Sequence, residues 1–134
     1  MANVRDSGVS ESKTKAQMFV LASVDGNPVQ NSIGASASAS FGMGAILRPT
    51  YISRKVPARQ MKVTLRGTHV TGAPIHTMFL EATGKLLSVE GTVDFTPYSG
   101  GLFIVKGELK PTGSSVWIED VSTGMPVTSK VTSN

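Results

Sequence analysis

Along the second half of the chain, apolar and polar residues alternate with the period of two that puts one face of a strand in a core and the other in water. Met61, Val63 and Leu65 alternate with Lys62, Thr64 and Arg66, and Val89, Gly91, Val93 and Phe95 alternate with Glu90, Thr92 and Asp94. Phe103, Val105 and Leu109 share a parity with Gly107, while Lys106, Glu108 and Lys110 take the other. Val116 and Ile118 oppose Trp117 and Glu119, and Val127 to Val131 reads as a closing strand. Earlier, Met18, Val20, Ala22 and Val24 alternate with Gln17, Phe19, Leu21 and Ser23 as far as Asp25-Gly26-Asn27-Pro28, a turn sequence in which Gly adopts positive φ. A further strand is predicted through Val29 to Ile33. The turn sequences Thr96 to Gly101, Lys110-Pro111-Thr112-Gly113 and Ser122-Thr123-Gly124 recur at hairpin spacing.

Four stretches depart from this pattern. Residues 1–15 are polar, Ser-rich and mixed in charge, and they read as a flexible leader that buries too little surface to order itself. Residues 34–40 alternate Ala and Ser, which fits either a strand under close backbone approach or a loop. The apolar stretch from Phe41 to Ile52 is interrupted by Pro49, as in an edge or bulged strand. Ile75 to Ala82, after Pro74, is the only helix candidate, and it is too short to stand without tertiary support. The expected fold is all-β: a single β-sandwich over residues 16–134, of about seven or eight short, mainly antiparallel strands in an immunoglobulin-like or transthyretin-like layout. A small β-barrel is the alternative. A chain of 134 residues supports one core and not two.

Composition narrows the chemistry. With no Cys, disulfides, thiolate metal sites and a Cys nucleophile are excluded together. No run approaches the roughly 20 apolar residues of a membrane-spanning helix. His69 and His76 are the two histidines, and their spacing fits no short metal-ligand motif, so both read as surface or strand-end residues. Glu119 and Asp120 are adjacent and point to opposite faces of a strand, while Glu90 and Asp94 fit an exposed β surface. There is no G-x-S-x-G elbow, and Gly42-Met43-Gly44 leads to Pro49 and not to a helix start. The expectation is a protein that is not an enzyme and carries no cofactor and no metal.

Charge is less uniform. Between Gly26 and Leu80 there are six basic residues, Arg48, Arg54, Lys55, Arg59, Lys62 and Arg66, and no acid, within a chain of net charge +4. Such a segment is the footprint expected of a surface for an anion or an acidic partner; its alternative is a set of solvated edge charges that block aggregation. Nucleic-acid binding would call for aromatics among the cations, and only Tyr51 lies there. Trp117, the single Trp, is either a contact residue or a core anchor, depending on which face of its strand is buried.

Lys55-Val56-Pro57-Ala58, followed by Met61-Lys62-Val63-Thr64-Leu65 and by Gly72-Ala73-Pro74-Ile75, resembles a pattern in small Gram-negative envelope lipoproteins, the pilotins of type III secretion among them. The resemblance covers roughly 25 residues. It implies a β-sandwich tethered by lipid on an N-terminal Cys, which in this sequence would require Met1-Ala2 to stand where that Cys had been, with the leader up to Lys15 as spacer. The expected function is therefore a non-enzymatic binding or assembly module of the cell envelope, periplasmic or outer-membrane-associated, with a protein or glycan partner and an anionic ligand as a further option. A membrane contact would run only through the lipid anchor. The alternatives are a nucleic-acid-binding β-barrel that uses segment 48–66, a self-assembling capsid or pilin-like subunit, and a cytoplasmic location.

Overall fold

The computed structural model describes residues 1–10, 15–29, 52–71, 87–110 and 112–133. These residues form ten strands and no helix: β1 (Ala2–Arg5), β2 (Ser7–Ser10), β3 (Lys15–Val24), β4 (Asn27–Pro28), β5 (Ser53–Val56), β6 (Met61–Thr71), β7 (Ser88–Phe95), β8 (Leu102–Glu108), β9 (Ser114–Asp120) and β10 (Val131–Ser133). The first sheet runs β10-β9-β8-β1-β5, and the second runs β2-β3-β6-β7 with β4 added beside β3. All pairs are antiparallel except β1 with β8. The alternating apolar residues of both sheets meet in one core, in which Phe19, Leu21, Val63, Leu65 and Phe95 face Val4, Phe103, Val105, Val116 and Ile118. The expected β-sandwich is thus observed, and the two sheets do not close into the alternative barrel.

The flexible leader expected over residues 1–15 is corrected: residues 2–5 and 7–10 are strands of two different sheets. Ala2 and Val4 are fully buried while Arg5 is exposed, so even this polar stretch alternates, and its buried positions need only two small apolar side chains. What orders it comes from far along the chain. β1 lies between β5 and β8, with Val4 opposite Arg54 on one side and Phe103 on the other. At Asp6 the backbone passes from the first sheet to the second, and Ser7–Ser10 then pairs with β3.

The Asp25-Gly26 turn forms as predicted, with φ of 50° and 82° at its two central residues, the geometry that joins two strands with the least splay. β4 falls on Asn27–Pro28, inside the predicted turn sequence; of the strand predicted through Val29 to Ile33 only Val29 is described, its amide donating to the Ala22 carbonyl at 3.0 Å, and residues 30–33 lie outside the described residues. β3 forms where the alternation placed a strand, but it is buried on both faces. Phe19 and Leu21 enter the core, yet Ala16, Met18 and Val20 on its other face are also fully buried, which explains its nearly unbroken apolar run. At the other end of the chain the closing strand is β10, beginning at Val131, while Pro126 makes an isolated bridge to Glu119. Gly91 lets β7 approach it closely, because a Cβ there would stand 2.6 Å from Val131 Cγ1. The Ala/Ser stretch 34–40, the interrupted strand around Pro49 and the helix candidate 75–82 all lie outside the described residues.

Candidate functional site

The described basic residues do not converge. Arg54 shares the inward parity of Val56 on β5 and reaches Asp6 with both guanidinium ends, at 3.1 Å to each carboxylate oxygen. Asp6 Oδ1 also accepts the Leu21 amide at 3.1 Å, so one buried carboxylate joins β3 of one sheet to β5 of the other. Arg54, with its side chain 14% exposed, is therefore a structural residue and not part of an open anion surface. Arg59 bonds Asp25 at 3.0 Å, and the Lys62 amide bonds the same carboxylate at 2.9 Å. The Lys62 amide first, and then the Arg59 guanidinium, hold the Asp25 carboxyl below its ordinary range.

On the outer face of β6 and β7 the register matches unlike charges. Lys62 lies opposite Asp94 with a 3.5 Å ion pair, Thr64 shares a 3.0 Å hydrogen bond with Thr92, and Arg66 stands opposite Glu90. Lys55 is exposed on the outer face of the first sheet beside Asn3. Arg48 and Tyr51 lie outside the described residues. The cationic run of the sequence is thus folded largely onto acids from remote parts of the chain.

Of the two readings of His69, a surface or a strand-end residue, the second describes it: it lies two residues from the end of β6 and is buried there. Its Nδ1 accepts the Leu87 amide at 3.0 Å, and its own amide donates to the Leu87 carbonyl at 3.2 Å. His76 lies outside the described residues. Among the described residues there is no group of three or more His, Asp or Glu side chains able to hold a metal ion. Glu119 and Asp120 point to opposite faces as expected. Asp120 is buried, accepts the Tyr98 hydroxyl at 2.8 Å and thereby pushes that phenol above its ordinary value.

The first sheet's outer face is different in kind. Leu102 is 51% exposed and lies beside Val121, 54% exposed, whose amide bonds the Leu102 carbonyl at 3.0 Å. One step along β8, Ile104 faces Glu119, and one step further Lys106 faces Trp117. Trp117 belongs to this outer face and is half-buried, because Val116 and Ile118 take the core. Its indole donates to Glu119 at 3.1 Å, and the Lys130 ammonium stands 4.4 Å from its ring centroid. No protein-family model, curated protein or solved structure matches the chain. What the face can do is therefore argued from its own chemistry.

A groove of about 540 Å³ flanks this face where β1 ends. Ser7, Gly8 and Val9 of β2 form one side, and Gly107, Trp117 and Glu119 of β8 and β9 the other. Parity placed Trp117 on a face but could not place β2 beside it, since that contact joins segments almost a hundred residues apart. Of the candidate surface cations and contact aromatics named from the sequence that are described, Trp117 alone lines the groove.

Proposed function

We propose that the chain is a non-enzymatic binding or assembly module that engages a protein partner through the outer face of β8 and β9. The observation that supports this is the exposed pair Leu102 and Val121, where β8 begins and β9 has just ended, with Ile104 and then Trp117 further along a sheet face whose other outward positions are polar or charged. Apolar and aromatic residues within a polar rim are the composition of a contact surface, where a few such side chains dominate the energy. The outer face of β6 and β7, by contrast, sets unlike charges opposite one another, with Lys62 paired to Asp94 and Arg66 in register with Glu90. The envelope setting is carried by the resemblance of residues 55–75 alone, and an anchor of that kind needs its spacer ahead of Ala2, where β1 begins.

The test is affinity capture with the tagged chain from a Gram-negative envelope extract, with captured proteins identified by mass spectrometry. Leu102→Asp with Val121→Asp should keep the far-UV circular dichroism spectrum and lose the captured partner. Lys62→Glu with Arg66→Glu should keep both. Equal loss with the two pairs, or unchanged capture by the first, overturns the assignment to this face.

A further inference from the structure

We propose that the groove beside β8 receives an extended peptide segment of the partner, added as a short strand where β1 leaves the sheet; this rests on the binding-module reading above. The parallel ladder of β1 with β8 runs from Asn3 opposite Leu102 to Arg5 opposite Ile104 and stops. Beyond it, Lys106, Gly107 and Glu108 pair with β9 alone among the described strands. A strand turns the N–H and C=O of alternate residues to the same side. The Asn3 amide donates to the Gly101 carbonyl, and the Ser7 hydroxyl donates to that of Val105, so the odd-numbered residues of β8 face β1. Val121 donates to Leu102, which turns the even-numbered ones to β9. The next residue on the open side is Gly107, whose backbone groups are directed into the groove.

The lining suits a main chain. Gly8 puts no side chain in the way, and Val9, 57% exposed, and the Trp117 indole offer apolar walls on either side. The charged groups at the rim are already engaged: Lys106 with Glu119 at 3.4 Å, Lys110 with Glu108 at 3.4 Å, and Glu119 with the indole N–H. A charged ligand would have to break those pairs, whereas an extended segment with apolar side chains at every second position would not. Strand addition of this kind draws its affinity from backbone hydrogen bonds and its selectivity from alternate side chains.

The experiment uses the full chain and a phage-displayed library of random octapeptides, with enriched sequences synthesised and titrated while backbone amide exchange is followed by NMR. Enriched peptides should carry apolar residues in alternation and should slow exchange of the Gly107 amide by roughly fivefold or more, the effect of one net hydrogen bond. Gly107→Val is unsuitable as the blocking variant, because a Cβ there would stand 2.6 Å from the Phe19 ring and disturb the core. Val9→Asp places a charge at the mouth from an exposed position and should abolish peptide binding with the fold intact. No enrichment above the unselected library, or binding that leaves Gly107 exchange unchanged, overturns strand addition. If partner capture is still lost on Leu102→Asp with Val121→Asp in that case, the face stands and only the strand mode fails. Peptide binding with capture indifferent to that pair has the opposite meaning.

Discussion

Arg54 on β5 and Lys62 on β6 belong to one acid-free stretch of sequence, yet they occupy opposite physical regimes. Arg54 is 14% exposed and fixed in two parallel hydrogen bonds to a carboxylate with no exposure, whereas Lys62 is 74% exposed and lies 3.5 Å from a carboxylate that is itself in water. The difference comes from strand parity. Arg54 falls on the inward register of β5 with Val56, and Lys62 on the outward register of β6 between Met61 and Val63. A buried ion pair is held because losing either partner strands a charge in a poor solvent, while an exposed one competes with water and salt for little gain. The same cation is therefore a structural pin in one place and a solvated group in the other.

The largest effect expected from this contrast is at Arg54. Arg54→Ala leaves Asp6 buried among Leu21, Val4 and the inter-sheet core, and should lower stability by about 3–5 kcal/mol, measured as the urea midpoint at constant slope. Replacing both partners, Asp6→Leu with Arg54→Met, should recover a large part of that loss. If the single and double variants are equally unstable, the pair's role is not charge compensation.

The next effect is at the Asp25 turn and is read through pH. The folded carboxyl lies below its unfolded value near 3.8, so its contribution is fully present above that pH and is lost as the pH falls through the lowered folded value. Asp25→Asn should therefore be less stable than the parent at pH 7, with the gap closing in urea titrations carried into acid well below the ordinary Asp range. A gap unchanged by acid would mean that turn geometry, and not the ionised carboxylate, matters.

Smaller still is Lys62→Ala, expected to change stability by no more than about 0.5 kcal/mol in the same titration. A loss as large as that of Arg54→Ala would erase the distinction between the two regimes. Smallest is the response to polyanions: since Lys62 and Arg66 face Asp94 and Glu90, Lys62→Glu with Arg66→Glu should hardly alter oligonucleotide retention at about 0.15 M salt, where screening reaches within about 8 Å. Tight retention abolished by that pair would restore the nucleic-acid alternative.

What could be read from the sequence was what local periodicity encodes. Met61 to Leu65, Val89 to Phe95 and Val116 to Ile118 follow the alternation into the core, and Asp25-Gly26 supplies its own turn geometry. What could not be read depended on partners distant in the chain. Ala2 and Val4 look like part of a polar tail until β5 and β8 are placed on either side. Arg54 looks like an anion ligand until Asp6 is brought to it, and whether His69 is a surface or a buried strand-end residue is undecided until Leu87 bonds its ring nitrogen. The groove was hidden for the same reason: Trp117 could be assigned to one of two faces by parity, but Ser7, Gly8 and Val9 carry no local mark of lying beside it.

The crossing of β1 and β2 between the sheets also sets a timetable for synthesis. The Ser7 hydroxyl finds the Val105 carbonyl 98 positions further along the chain, so the earlier segment leaves the ribosome well before its neighbour exists. At the roughly 5–20 residues per second of translation, that interval is about 5–20 s, far longer than a hairpin needs to close. β2 and β3 can associate early and β1 can pair with β5, while the other edge of β1 must wait for β8. A nascent chain arrested before Leu102 would have no β8 on which to lay β1, and should be recovered bound to ribosome-associated chaperones until elongation resumes.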